Sequence, residues 1–210
     1  MLRPAIALIS AVVLIGAVSA AEPVKLFDGK TFTGWEGDTK ATWRIEDGCI
    51  VGGSLETSVP RNEFLCTTKS YGNFELKVKI KLEGDAKQVN AGIQFRTKRI
   101  PNHHEVSGYQ ADAGQHYWGA LYDESRRNKV LVQPDAKVVE KLVKQGDWND
   151  YVIRCEGDRI RLWLNGTLTV DFTEKDEKVE RTGIIGLQVH GGAKAKASYK
   201  DIAIEELPAK

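Results

Sequence analysis

Asn90-Ala91-Gly92-Ile93-Gln94-Phe95-Arg96 alternates polar and apolar residues one for one. A strand points successive side chains to opposite faces, so this stretch predicts a strand with two unlike sides. Ala91, Ile93 and Phe95 can join a core. The other side carries an amide, a glycine, a second amide and a guanidinium. Phe74 to Leu82 is the contrast within the same chain: there the polar positions are Glu75, Lys77, Lys79 and Lys81, the charged face that ordinarily meets water. A row of Asn, Gln and Arg brings hydrogen-bonding groups with little excess charge, which suits the concave face of a sheet that holds a hydroxyl-rich ligand.

The pattern recurs. Gly108, Gln110 and Asp112 share one side with Tyr109 and Ala111 opposite, and Gly186, Gln188 and His190 alternate with Ile185, Leu187 and Val189. Three such strands predict one shared polar groove, with glycines leaving room for a ligand. Strands are expected near Trp43–Val51, Glu63–Thr68, Phe74–Leu82, Ala91–Arg96, Gly108–Asp112, Trp118–Tyr122, Asp150–Cys155, Ile160–Leu164, Ile184–His190 and Ala197–Glu205. Asn165-Gly166 after Leu164 reads as a hairpin turn, because both residues tolerate positive φ; with Thr167 it also spells a glycosylation sequon, for which the tight turn is the better account. Lys137 to Lys144 is the one helix candidate, with Val138, Val139, Leu142 and Val143 at helical spacing. Many short strands and hardly any helix predict an all-β fold, a two-sheet sandwich or jelly roll.

The chain of 210 residues opens like a secretory signal: Arg3, an apolar run from Ala5 to Val18, then Ser19, Ala20 and Ala21. The expected division is a signal peptide over 1–20 and one domain over 22–208, of about 190 residues, enough for a single core. The protein is therefore expected to be exported, to the periplasm or beyond, with no stable membrane span after cleavage. The balance of 30 basic and 29 acidic residues argues against nucleic acid as a partner, since phosphate binding asks for a basic surplus. Cys49, Cys66 and Cys155 lack metal-type spacing; two of them could pair in an oxidising compartment, or Cys155, in step with Tyr151 and Ile153, could be a buried thiol.

Further candidates lie between the polar strands. Arg99 to Tyr109 contains His103, His104 and Glu105 and is expected at the groove rim. Adjacent histidines on extended backbone point apart, so a shared zinc is disfavoured and a hydrogen-bonded pair favoured. Tyr117, Trp118 and Tyr122 form an aromatic cluster that could stack on a sugar ring or pack in the core. By parity Trp118 and Tyr122 share a face. Asp123, Glu124, Arg126 and Arg127 read as a solvated turn from which Arg126 or Arg127 could reach the groove. No nucleotide loop, serine-hydrolase elbow or zinc-protease helix is spelled in the chain.

Taken together, the motifs have a family likeness. They are Leu26-Phe27-Asp28-Gly29-Lys30 with Gly34-Trp35, Trp43-x-Ile45-x-Asp47-Gly48, Tyr71-Gly72-Asn73-Phe74-Glu75-Leu76, Asn90 to Arg96, Gly108-Tyr109-Gln110 with Asp112, Gly119-Ala120-Leu121-Tyr122, Gly146-Asp147-Trp148-Asn149, Leu164-Asn165-Gly166, and Gly186-Leu187-Gln188-Val189-His190-Gly191. In this order they resemble the 3-keto-disaccharide hydrolase domain family. Two departures stand out. Many members carry Asn-Ser-Gly at the position of Asn90-Ala91-Gly92. Many carry Gly-Tyr-Glu where this chain has Gln110, which removes a carboxylate from the expected groove.

The resemblance implies a concanavalin A-like jelly-roll β-sandwich of two antiparallel sheets, with a concave sheet facing a sugar. It implies cleavage of glycosides already oxidised to a ketone at C3, without a cofactor. That ketone acidifies the C2 proton; a base removes it, and the C1 substituent leaves by elimination, with water then able to add. On this footing Arg96 would stabilise the enolate and His190 or Asp112 would be the base. Asn90, Gln94, Gln110 and Gln188 would hold hydroxyls, with Trp118, Tyr122, His104 and Arg126 as further substrate contacts. A lectin-like carbohydrate-binding module with the same groove and no turnover is the competing class. No metal is assigned.

Overall fold

The computed structural model describes residues 22–208. The expected signal segment, residues 1–20, lies outside the described residues. Fifteen strands and one helix follow in order: β1 (Val24–Lys25), β2 (Trp35–Glu36), β3 (Trp43–Glu46), β4 (Cys49–Gly53), β5 (Glu63–Tyr71), β6 (Phe74–Gly84), β7 (Asn90–Arg99), β8 (Val106–Gly114), β9 (Leu121–Glu124), β10 (Lys129–Val132), α1 (Ala136–Leu142), β11 (Asn149–Glu156), β12 (Arg159–Leu164), β13 (Thr167–Thr173), β14 (Gly183–Val189) and β15 (Ala195–Glu206). The first sheet runs β13-β12-β11-β6-β15-β4-β3, with β1 also paired to β15. The second runs β10-β9-β8-β7-β14-β5-β2. Every pairing is antiparallel. The chain crosses repeatedly between the sheets, and the result is a jelly-roll sandwich.

Alternation explains the layering. Leu76, Val78 and Ile80 of β6 and Tyr151, Ile153 and Cys155 of β11 face inward from the first sheet. They meet Ile93 and Phe95 of β7, Tyr109 and Ala111 of β8, and Leu187 and Val189 of β14, all essentially solvent-free. The outward side of β6 carries ion pairs to the neighbouring strand, Lys79 with Asp150 at 2.5 Å and Glu75 with Arg154 at 3.0 Å, and others along itself, Lys77 with Glu75 and Lys81 with Glu83. This is the wet face that the sequence of β6 predicts.

Several expected boundaries move. The segment Trp43–Val51 is a hairpin, β3 to β4, because Asp47 (φ 51°) and Gly48 (φ 72°) form the tight turn that an Asp-Gly pair favours. Trp118–Tyr122 is not one strand: turns occupy the segment before Leu121, with Gln115 at φ 46° and Gly119 at φ 74°. The helix starts at Ala136, where Asp135 accepts from the Lys137 amide at 2.8 Å, and stops at Val143. Asn165-Gly166 is the β12–β13 turn as expected. Cys49, Cys66 and Cys155 are free and buried. Burial pushes the Cys66 and Cys155 thiols up to about 12, so neither offers a thiolate nucleophile. Among the described residues no helix is long and apolar enough to cross a membrane.

Candidate functional site

The outer face of the second sheet is polar, as its alternation predicts, yet it is not wet. Asn90, Gln94, Gln110, Asp112 and Gln188 lie there, and each is no more than 7% exposed. Side chains buried on an outward face have to be paired with each other or reserved for a ligand. Both occur. Asn90 Nδ2 donates to Asp112 Oδ1 at 2.8 Å, Gln94 Nε2 donates to Gln110 Oε1, and Gln188 Nε2 donates to Glu124 at 3.2 Å. The amide oxygens of two of these donors are left over: among the described residues, Gln94 Oε1 and Gln188 Oε1 are buried without a partner.

Strand register arranges these groups. Gln94 stands opposite Gln110, which stands opposite Tyr122; Asp112 and Gln188 flank Gly92 on either side. Gly92 is required here. A Cβ at that position would lie 2.6 Å from Cγ and Cδ of Gln110, so a side chain would evict the amide. Above this floor is a pocket of about 250 Å³ lined by Asn90, Gln110, Asp112, Tyr122, Glu124 and His190, with Asn62, Gln115 and Tyr117 at its edges. His190 is exposed, and its Nδ1 lies 2.7 Å from the Gly191 carbonyl, where only a protonated Nδ1 can bond. In the neutral ring Nε2 is then the free base.

The carboxyl groups carry the electrostatic signature. Burial pushes Asp112 up to about 7, against hydrogen bonds from Asn90 and Gln110 and assisted by the charge of Glu124. Burial likewise pushes Glu124 up to about 7, with the charge of Glu105 adding to the rise and the bond from Gln188 opposing it. Burial dominates both carboxyls, and the charge of Glu124 is the least of the influences on Asp112. Around neutrality each of these carboxyls keeps a proton that an ordinary carboxylate would have lost. A folded-state pKa above the unfolded value means that the native state binds more protons between about pH 4 and 7. Stability should therefore fall as pH rises across that window and level off above it. Asp112→Asn should flatten this slope, which melting curves from pH 4 to 9 would reveal; an unchanged slope would place the Asp112 carboxyl in an ordinary environment.

Four sequence-based placements need correction or refinement. Arg96 does not line this pocket. It sits at φ 45° as the extra residue of a β-bulge, where the β7–β8 register shifts between Phe95 and Lys98. The bulge ends the alternation, and the buried guanidinium reaches the β5–β6 turn between the sheets and the β11–β12 turn of the first sheet. Its Nε and Nη2 donate to the Gly72 carbonyl at 3.0 and 2.9 Å, its Nη1 to Gly157 at 2.7 Å, and Nη2 also approaches Asn73 Oδ1. Trp118, only 3% exposed, joins the core stacked against Tyr151, since the turns before β9 break its parity with Tyr122. Arg126 lies over the Tyr109 ring, 4.4 Å from its centroid, and pairs with buried Asp123, so it belongs to the end of the sandwich that also holds Arg96. His104 is behind the rim, 3.1 Å from the Asn62 carbonyl and stacked on His103.

Glu124 and Asn62 escape the sequence reading. Glu124 follows Tyr122 at strand spacing and stands opposite Gly108, so the same parity rule would have found it. Asn62 donates to Glu105 at 3.1 Å and accepts from the Gly191 amide at 3.0 Å, closing the rim through contacts distant in sequence. The floor is also tied to the far sheet. Tyr151 of β11 donates to the Asp112 carbonyl at 2.5 Å and accepts from the Gly119 amide at 2.8 Å. Tyr199 of β15 donates to the Gln188 carbonyl at 2.5 Å and lies 3.2 Å from that of Gly92.

This site can be set beside known proteins. A 3-keto-disaccharide hydrolase of Bacteroides thetaiotaomicron is 34% identical over 90 residues, and the match spans 40% of this chain and 30% of that relative. A candidate glycosyl hydrolase from Parabacteroides distasonis superposes with a TM-score of 0.67 at 24% identity, over 89% of this chain and 94% of the other. The carbohydrate binding module CBM66 from Bacillus subtilis superposes at 0.61 and 17% identity, over 82% and 96%. These two are likenesses of fold. Residues 22–205, nearly the whole described chain, match the 3-keto-alpha-glucoside-1,2-lyase-like domain, and the chain belongs to that family.

Proposed function

We propose that the pocket on the second sheet cleaves 3-keto-glycosides. The observation that carries the reading is the meeting of His190 with the Asp112–Glu124 pair in one polar pocket. The amides of Asn90 and Gln110 in the pocket lining support it, as groups suited to sugar hydroxyls. The family match and the keto-sugar name of the relative agree with it.

The chemistry follows from the groups present. His190 Nε2 takes the C2 proton, made acidic by the neighbouring ketone, and the electron pair moves into a C2–C3 enolate. A neutral carboxyl of the Asp112–Glu124 pair donates a hydrogen bond to the enolate oxygen, which stabilises charge where it grows. The enolate then collapses, a C1–C2 double bond forms, and the C1–O bond breaks. The departing oxygen takes a proton from the carboxyl pair. Water adding across the double bond returns a 3-keto sugar, making the net reaction a hydrolysis. Asn90 and Gln110 orient the carboxyl, and Tyr122 walls the sugar. Arg96 has no part in this scheme.

The test is to incubate the protein with a 3-keto-glucoside and with its parent glucoside, following release of the aglycone. Release is expected from the keto sugar alone, because without the ketone the C2 proton is not acidic. Binding of the keto sugar with no release would make the domain a carbohydrate-binding module instead. The exported location expected from residues 1–20 belongs to this proposal, since a secreted enzyme would meet glycosides outside the cell.

A further inference from the structure

A second pocket lies beside the groove. It measures about 380 Å³, and α1 forms one wall through Ala136, Val139 and Val143. The other wall is the loop that precedes β9. This loop divides its side chains between the two pockets: Tyr117 lines the groove, His116 and Trp118 line the second pocket, and Gln115 lines both. The rings of His116 and Tyr117 are in contact, with centroids 3.9 Å apart, and form the partition. A ligand crossing at Gln115 would place one part in each compartment.

The two compartments differ in chemistry. The groove is built of amides and carboxyls. The second pocket presents small and branched aliphatic side chains beside an exposed imidazole, with Lys87, Glu140 and Gln145 among its lining residues. Sugar hydroxyls set against Val139 and Val143 would lose hydrogen bonds to water without replacement. Trp118 is too enclosed to offer a face for sugar stacking. A flat apolar group loses nothing on entry, and aliphatic walls with a few polar groups are typical of pockets for such ligands. We propose that this pocket receives the aromatic aglycone of a 3-keto-glycoside whose sugar occupies the groove. The inference rests on the reaction proposed above and names its substrate class: an aryl glycoside, whose aglycone leaves as a phenol when the C1–O bond breaks and the oxygen takes the carboxyl proton.

The test compares 2-naphthyl and methyl 3-keto-glucosides, by calorimetric titration and by turnover. The wild-type protein should bind the naphthyl compound roughly 10-fold or more tightly than the methyl compound, the scale expected for burying an aromatic ring. Ala136→Trp fills the pocket from an exposed helix position outside the groove. It should remove that advantage and leave binding and turnover of the methyl compound unchanged. Val143→Asp, which sets a charge in the same pocket, should do likewise. Equal wild-type affinity for the two sugars, or equal losses for both in Ala136→Trp, would overturn the aryl pocket while leaving the groove reaction standing. A naphthyl preference that Ala136→Trp abolishes, with no turnover of either sugar, would uphold the pocket and overturn the reaction. Failure of the wild-type protein to bind either sugar would overturn both.

Discussion

Replacing Asp112 by Asn is expected to lower turnover of a 3-keto-glucoside by roughly 10²–10⁴, the range for loss of a positioned acid or a charge-stabilising donor. The substitution keeps the shape and leaves Asn90 a partner, since an amide oxygen can accept the bond that Asp112 Oδ1 now takes at 2.8 Å. It removes the transferable proton. In the wild-type protein the rate should fall as pH rises through about 7, where the Asp112–Glu124 pair loses the proton it donates. That limb should shrink in the residual activity of Asp112→Asn to the part that Glu124 contributes. Glu124→Gln should show a related loss, and the double variant should cost little more than the worse single one if the two carboxyls act as a unit. Turnover by Asp112→Asn within threefold of wild type would remove the pair from the mechanism.

The second large effect is on stability. Arg96→Ala should destabilise the fold by roughly 3–5 kcal/mol, because it deletes charge-assisted hydrogen bonds and empties the space of a side chain that is itself buried. For a domain of this size that is a fall of about 10 °C or more in melting midpoint. The guanidinium links the second sheet to the Gly72 and Gly157 carbonyls, in the β5–β6 and β11–β12 turns of the sandwich. Well below its melting midpoint the variant should turn over substrate at close to the wild-type rate. Intact stability with abolished turnover would return Arg96 to the groove and contradict its observed contacts.

Arg96 also shows how far a sequence can be read by parity. Asn90 and Gln94 of β7, Gln110 and Asp112 of β8, and Gln188 of β14 all lie where alternation puts them, because these ladders run in regular register through that stretch. Two residues further along β7 the bulge breaks the count. Nothing local announces it: the extra residue shows only in the register against both neighbouring strands, opposite Gly108 and Ile185. Trp118 was misplaced for a related reason: the turn at Gly119 ends the period before the strand begins. Glu124 was legible and hidden by its charged neighbours. Asn62 is not legible, because it is held at the pocket by contacts with Glu105, 43 residues away in sequence, and with the Gly191 amide.

The phenols of Tyr151 and Tyr199 bear on how the site moves. Each crosses the interior from the first sheet to hold backbone carbonyls beneath the pocket. A floor fastened in this way has no private route to opening: freeing the Asp112 or Gln188 carbonyl means withdrawing a buried tyrosine from the core. The amides of β7, β8 and β14 around Gly92, Asp112 and Gln188 should therefore exchange with deuterium only when the whole sandwich unfolds, at the same limiting free energy as the deepest core strands, whereas those of the Ile100–Glu105 rim exchange through local openings.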